Sequence, residues 1–240
     1  MGLELHYFPT SHWSRIIALV LAEKGLDPQR RVVDIRKNAT FEPEYMRLNP
    51  RGVVPTLVID GEVICDSMRI AKRLDAAAPP ELYPDEPVVT AWADRLEAFP
   101  AMLLSYSVWV LGKRGEKSAD ILDDKVKRAA RYAAAHPELR ALYERKQRFF
   151  AEFRDQVYDP AALAAGEAGA QDDLDALGDR VAEHTWIAGD RYTFPDAIAT
   201  SILYRLIDLG KLDAWSRDPN HPLTAYYARL RARPSFDRVF

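Results

Sequence analysis

The stretch from Asn49 to Ser67, NPRGVVPTLVIDGEVICDS, decides the fold. Val53–Ile59 and Glu62–Cys65 are two β-branched runs, and Asp60-Gly61 between them is the dipeptide that supplies the positive φ angles of a tight hairpin turn. Asn49-Pro50 ends the element before them, and Arg51-Gly52 makes a turn. Ser67 is then placed as N-cap of a helix over Met68–Leu74. Pro55 opens the first run, where a missing N–H costs no ladder bond. Two readings of it stay open. It is a tolerated strand-start proline, or the Val54–Pro55 bond is cis, as about 5–6% of X-Pro bonds are. A cis bond would turn the Val54 N–H and C=O outward as a backbone pair for an extended peptide ligand.

Toward the N-terminus, Leu3–Tyr7 alternates as a short strand. Ser11 and Ser14 precede an apolar cluster at helical spacing (Ile16, Ile17, Leu19, Val20, Leu21) that Lys24-Gly25 closes. Arg31–Asp34 reads as a second strand and Glu42–Leu48 as a short helix. The order is β-α-β-α-β-β-α. Toward the C-terminus, Ala76–Pro87 contains Pro79, Pro80, Pro84 and Pro87, the composition of an extended connector. No period-2 segment follows it. Residues 89–111, 121–135, 137–157, 171–184, 194–209 and 222–233 all read as helices. The expected architecture is an α/β domain over residues 1–83 and an all-α helical bundle over residues 84–240.

Composition narrows the function. The chain has 240 residues, 48% hydrophobic and 29% charged, with 33 Lys and Arg against 36 Asp and Glu for a net charge of −3. That balance gives no reason to expect nucleic acid as a partner, because phosphate affinity needs clustered positive charge. The Lys-, Arg-, Asp- and Glu-rich stretch 113–132 reads as a solvated helix face. No apolar run reaches the roughly 18–20 residues of a membrane span, and Met1–Glu4 does not open a signal peptide. The single cysteine, Cys65, excludes an intrachain disulfide framework and a cysteine-based zinc site, and the five histidines lack ligand spacing. The cytoplasm is the expected compartment, and no metal is expected.

Several residues are placed where chemistry is possible. Ser11 and Ser14 lie where the first strand turns into the first helix, and a hydroxyl there, beside a helix N-terminus, favours a thiolate over a thiol. Each serine equally serves as a plain N-cap. His12 is a candidate base or an inert loop histidine, and Cys65 reads as a small buried hydrophobe. Asp66-Ser67 begins a helix whose unpaired N–H groups attract a carboxylate, while Asp66 suits an amino group. Tyr106, Trp109 and Phe194 read as core or as the wall of a pocket.

Asn49–Leu57, Asp60-Gly61 and Asp66-Ser67 with Ile70 and Leu74, joined by Ala188-Gly189-Asp190 and Thr193-Phe194-Pro195-Asp196, resemble the glutathione transferase superfamily over nearly the whole chain. The second group resembles that superfamily's capping box at the start of a buried helix. The resemblance implies a thioredoxin-like N-terminal domain, glutathione as cofactor and a homodimer. It makes Pro55 the cis proline and Val54 the backbone clamp on the cysteinyl unit. Ser67, assisted by Asp66, holds the γ-glutamyl group, and Asp66 stands where the family more often has Glu or Gln. Ser11 falls at the thiol-activating serine of serine-type members, with Ser14 in reserve, and the glycine end is expected near Arg36–Asn38.

Phe41–Asn49, His136–Arg140 and Ala225-Tyr226-Tyr227 leading to Arg231-Ala232-Arg233 resemble bacterial members of the zeta-like group that includes the tetrachlorohydroquinone dehalogenases. That group carries a cysteine two positions after the serine, and this chain has Trp13 there. The substitution disfavours dehalogenation, which uses the thiol to resolve a mixed disulfide, and adds an aromatic wall. The leading expectation is an enzyme that activates glutathione for attack on an apolar, aromatic electrophile, with Trp13, Tyr106 and Trp109 toward the substrate. Ether cleavage as in β-etherases and isomerisation share the first step. The rival class is a non-catalytic glutathione-transferase-like interaction module.

Overall fold

The computed structural model describes residues 2–111 and 120–240; residues 113–119 of the charged stretch lie outside the described residues. β1 (Leu3–Tyr7), β2 (Gln29–Val32), β3 (Thr56–Ile59) and β4 (Glu62–Ile64) form one sheet in the order β2-β1-β3-β4. β2 runs parallel to β1, while β3 lies antiparallel to β1 and β4 antiparallel to β3. With α1 (His12–Glu23), α2 (Pro43–Leu48) and α3 (Ser67–Ala77), the order matches the one read from the chain. The hairpin turn is where the Asp-Gly pair put it: Asp60 has φ 49° and Gly61 φ 87°. β2 begins two residues earlier than expected. It is an edge strand exposed at all four positions, so no buried face imposed an alternation to read.

α1 ends as its sequence demands, with Lys24 as C-cap and Gly25 in the left-handed region at φ 65°. Lys24 also reaches into the connector. Its buried ammonium pairs with Asp75 at 2.6 Å and donates to Ala78 O at 2.8 Å, while Asp75 accepts from Leu82 N–H at 3.1 Å. The start of the proline segment is therefore tied to the α1–α3 layer.

The rest is helical: α4 (Pro87–Glu97), α5 (Ala101–Tyr106), α6 (Asp120–Ala135), α7 (Arg140–Tyr158), α8 (Pro160–Glu183), α9 (Phe194–Leu209), α10 (Pro222–Arg231) and α11 (Pro234–Asp237). The single helix expected over 89–111 is broken. Pro100 has no N–H to continue it, so α4 stops at Ala98 and α5 restarts, running on as a π-helical turn over Ser107–Leu111. α8 begins at Pro160 rather than Gln171, its first half hidden in the alanine- and glycine-rich run AALAAGEAGA. Gly166 is needed there because a Cβ would lie 2.7 Å from Leu103 Cδ2. Pro137–Leu139 is a 3₁₀ turn ahead of α7. Among the described residues no helix is long and apolar enough to cross a membrane.

The main core runs without interruption from Leu5, Ile16, Ile17 and Leu57 through Leu74, Leu82 and Val89 to Leu174, Ile198, Leu203 and Tyr226. α9 is its axis, buried along nearly its whole length and packed against both α1 and α4.

Candidate active site

Four loops leave the same end of the sheet. Tyr7 lies opposite Val32 and His6 opposite Thr56, so the exits of β1 and β2 coincide with the entry to β3. β4 ends at Ile64, opposite Leu57, and leaves toward the same edge. These loops carry Ser11, Arg36–Asn38, Val54-Pro55 and Asp66-Ser67. Phe8, Val33, Tyr45 and Val54 form a small apolar cluster that packs three of the four together.

The two serines have different environments. Ser11 is the N-cap of α1, half-buried, with its Oγ 3.5 Å from the Ser14 N–H. Ser14 is fully buried, and its Oγ accepts from Phe8 N–H at 3.2 Å. His12 points the other way: Nδ1 pairs with Ser201 Oγ at 2.8 Å, which ties α1 to α9. Burial, reinforced by the charges of Arg205 and Arg15, pushes its pKa down to about 3, so the imidazole is neutral and unsuited to taking a proton. Trp13 is half-buried against the main core, edge-on to His12 at 5.5 Å.

The Val54–Pro55 bond is cis. Among the described residues neither the Val54 N–H nor its C=O has an intrachain hydrogen bond. The flanking loop is held by two residues, Asn49 and Tyr45, that the sequence reading did not name as site residues. Fully buried Asn49 donates through Nδ2 to Val53 O and Thr56 Oγ1, both at 2.8 Å, and its Oδ1 accepts from Arg51 N–H at 2.9 Å. Tyr45 adds its hydroxyl to the same Val53 O at 2.7 Å. The side chains of Asn49 and Tyr45 thus fix Val53 and Thr56 on either side of the Val54 peptide.

At the start of α3 the cap is Asp66, not Ser67. Asp66 has the extended backbone of an N-cap (φ −123°), and its carboxylate accepts from Arg69 N–H at 3.1 Å while pairing with Arg51 at 2.7 Å. Burial raises its pKa, but the Arg69 N–H and the Arg51 guanidinium outweigh that and hold the carboxyl below its ordinary value. Ser67 becomes the first helical residue, half-buried, and among the described residues its hydroxyl has no intrachain partner.

Asn38 is in the left-handed region at φ 61°, after Asp34 caps the turn Ile35–Lys37. Arg36 is largely exposed and rests on the Phe8 ring at 4.9 Å. Two lysines from the helical half also reach this loop, and nothing local in the sequence points to them. Lys125 of α6 donates to Asn38 Oδ1 at 2.9 Å. Lys146 of α7 donates to Thr40 O, Thr40 Oγ1 and Gly52 O. Gly52 has φ 60°, and a Cβ there would collide with the Lys146 ammonium, so the glycine is required on both counts.

The three aromatic candidates separate. Tyr106 and Trp109 lie together with centroids 5.4 Å apart, Tyr106 packed edge-on to Phe153 and Trp109 38% exposed with Arg205 over its ring. Phe194 is fully buried and stacked on Tyr83, so it is core and lines no pocket.

Residues 10–77 match the family described as glutathione S-transferase, N-terminal domain. Over 98% of its length the chain is 32% identical to the tetrachloro-p-hydroquinone reductive dehalogenase of Sphingobium chlorophenolicum, covering 94% of that protein. It is 25% identical to the glutathione S-transferase TCHQD of Arabidopsis thaliana, covering 99% of this chain and 89% of that one. Among solved structures, the β-etherase LigF of Sphingobium sp. strain SYK-6 superposes with a TM-score of 0.74 at 20% identity, over 100% of this chain and 99% of that one, a likeness of fold.

Proposed function

The chain belongs to the glutathione transferase family, and from that premise we propose that it activates glutathione through Ser11 and directs the sulfur onto an apolar, aromatic electrophile. One observation carries the reading: Ser11, the Val54 peptide and Ser67 leave the same end of one sheet, each with polar groups available to a ligand. The Val54 N–H and C=O suit the cysteinyl backbone of glutathione. The Ser67 hydroxyl and the first N–H groups of α3 suit the γ-glutamyl carboxylate. Asp66, already engaged by Arg51, is left as an acceptor beside the amino group. Asn38 with Lys125 stands at the glycine end.

Glutathione supplies the sulfur nucleophile. The chain supplies the Ser11 hydroxyl, which donates to the thiolate, and the positive end of α1 behind it. A carbon–sulfur bond then forms on the electrophile as its leaving group departs with the bonding electron pair. Tyr106, Trp109 and Trp13 are the side chains we assign to an aromatic acceptor, the first two supported by their adjacency at 5.4 Å. Release of a mixed disulfide by a protein thiol has no support here. Trp13 stands where the family resemblance implies a cysteine, and Cys65 faces Leu48 O at 3.6 Å with its pKa raised by burial. We also propose a homodimer, as the family resemblance implies; sedimentation at several concentrations tests it.

The decisive experiment is Ser11→Ala, assayed with an activated chloronitrobenzene and by retention on immobilised glutathione. A hydrogen bond to a charged group is worth about 1.5–3 kcal/mol, so the turnover rate should fall roughly ten- to a hundredfold while retention persists. An unchanged rate removes Ser11 from the reaction. Failure of the unmutated protein to bind glutathione would favour the non-catalytic module.

A further inference from the structure

Arg205, on α9, is 5% exposed. Its guanidinium donates to Thr10 O, stands over the Trp109 ring at 5.6 Å and keeps a buried Nε with no acceptor. Among the described residues no carboxylate lies within ion-pair distance of it. A buried cation with one carbonyl acceptor is costly to maintain and projects its field into its surroundings. The charges that face it are few. Asp208, exposed on the same helix, attracts it, and Arg15 of α1 repels it. Arg15 donates through Nε to Pro9 O at 2.9 Å and rests on the Tyr204 and Phe240 rings. Two guanidinium groups therefore hold the carbonyls of Pro9 and Thr10, the two residues before Ser11. The neutral imidazole of His12, on the other side of Ser11, carries no charge to oppose them, and the charges of both arginines are among the causes that keep it neutral.

We propose that Arg205 is the electrostatic partner of Ser11: through Thr10 it fixes the loop, and its uncompensated charge stabilises the thiolate of the glutathione bound there. The proposal rests on the reading of Ser11 given above. The only bond that changes is S–H, whose proton passes to solvent. Arg205 acts through field and position, so the readout is the ionisation of the bound thiol rather than the rate alone.

The test titrates the ultraviolet thiolate absorbance of glutathione on the protein, with S-methylglutathione as blank, for the unmutated chain and for Arg205→Gln, Arg205→Lys and Asp208→Asn. The Gln variant keeps a donor for Thr10 O and loses the charge; its bound thiol should titrate about one unit higher, the low end of a nearby-charge effect. The Lys variant should stay near the unmutated value. Asp208→Asn removes an exposed opposing charge and should move the thiol the other way, by a fraction of a unit, even if the Gln variant fails to fold. An unshifted thiol in folded Arg205→Gln, an equal rise in the Lys variant, or no downward shift in Asp208→Asn overturns the proposal. A thiol that titrates normally on the unmutated protein instead overturns the Ser11 reading itself.

Discussion

Ser11 and Ser14 are three residues apart and of one type, yet burial gives them different work. Removing the Ser14 hydroxyl strands the Phe8 N–H in the interior. An unsatisfied buried donor costs about 1–3 kcal/mol, so Ser14→Ala should lower the urea midpoint while leaving the pKa of the bound thiol unmoved. A thiol shift in that variant would return Ser14 to the chemistry. Lys146 makes a second residue-scale prediction. Burial, with the like charge of Lys125 beside it, pushes its pKa from 10.5 down to about 7. The unfolded chain then binds more protons than the folded one from about pH 7 up to the unfolded value. The cost of the buried charge is full below that window and is relieved as pH rises through it. Lys125, lowered to about 8, adds in the same direction. Melting temperatures followed from about pH 6 to pH 9 should therefore gain less in Lys146→Met than in the unmutated chain; parallel profiles would show that Lys146 titrates normally.

At the scale of elements, local chemistry was legible and long-range chemistry was not. The α9 box could be read because Thr193 and Asp196 are three apart, the reach of a side chain back to its own helix start. The structure shows a larger job than the pattern announces. The fully buried Asp196 carboxylate accepts from Thr193 N–H and Oγ1, from Ile187 N–H at 3.0 Å and from Tyr226 Oη at 2.7 Å. Asp196→Ala leaves these donors unpaired, and breaking such a buried charged network costs about 3–5 kcal/mol. Thermal melts should show that loss, with Asp196→Asn milder; a melt unchanged in the Ala variant would mean the site relaxes around water. By the same logic the choice between Asp66 and Ser67 as cap was illegible, since both residue types cap and only the chain path selects the first. The break at Pro100 was visible as a proline, but the alanine-rich start of α8 carries too little periodicity to announce itself. Lys125, Lys146 and Arg205 could not have been found at all. Each reaches a loop distant in sequence, and a lysine or arginine on a helix reads as solvated until the fold closes over it.

For the whole molecule, the α/β half and the helical half joined by the connector share one core, and that packing argues that they unfold as one cooperative body. The main core passes from the sheet and α1 straight into α4 and α9. A second bond system closes the far side. From the α6–α7 hairpin, Tyr143 donates to Phe41 O at 2.7 Å, Tyr132 to Glu42 at 2.9 Å, and Lys146 to Gly52 O, while Arg145 reaches Pro50 O. The loops that bear the candidate site thus rest on the helical half on two sides. Separating the halves would uncover the faces on which α1 and α9 pack and leave buried Lys146 and Arg205 without their carbonyl partners. A lone first half would have lost the α9 face on which α1 packs. At about 1.5–3 kcal/mol for each large apolar side chain uncovered, a face of several residues rivals the roughly 5–15 kcal/mol by which domains stay folded. We therefore expect one calorimetric transition with a van't Hoff enthalpy equal to the measured one, and a fragment of residues 1–83 that gives no dispersed amide spectrum. Two resolved transitions, or a folded fragment, would mean that the shared core is an interface between separately stable domains. Arg205 would then couple a movable helical lobe to the thiol instead of belonging to a fixed site.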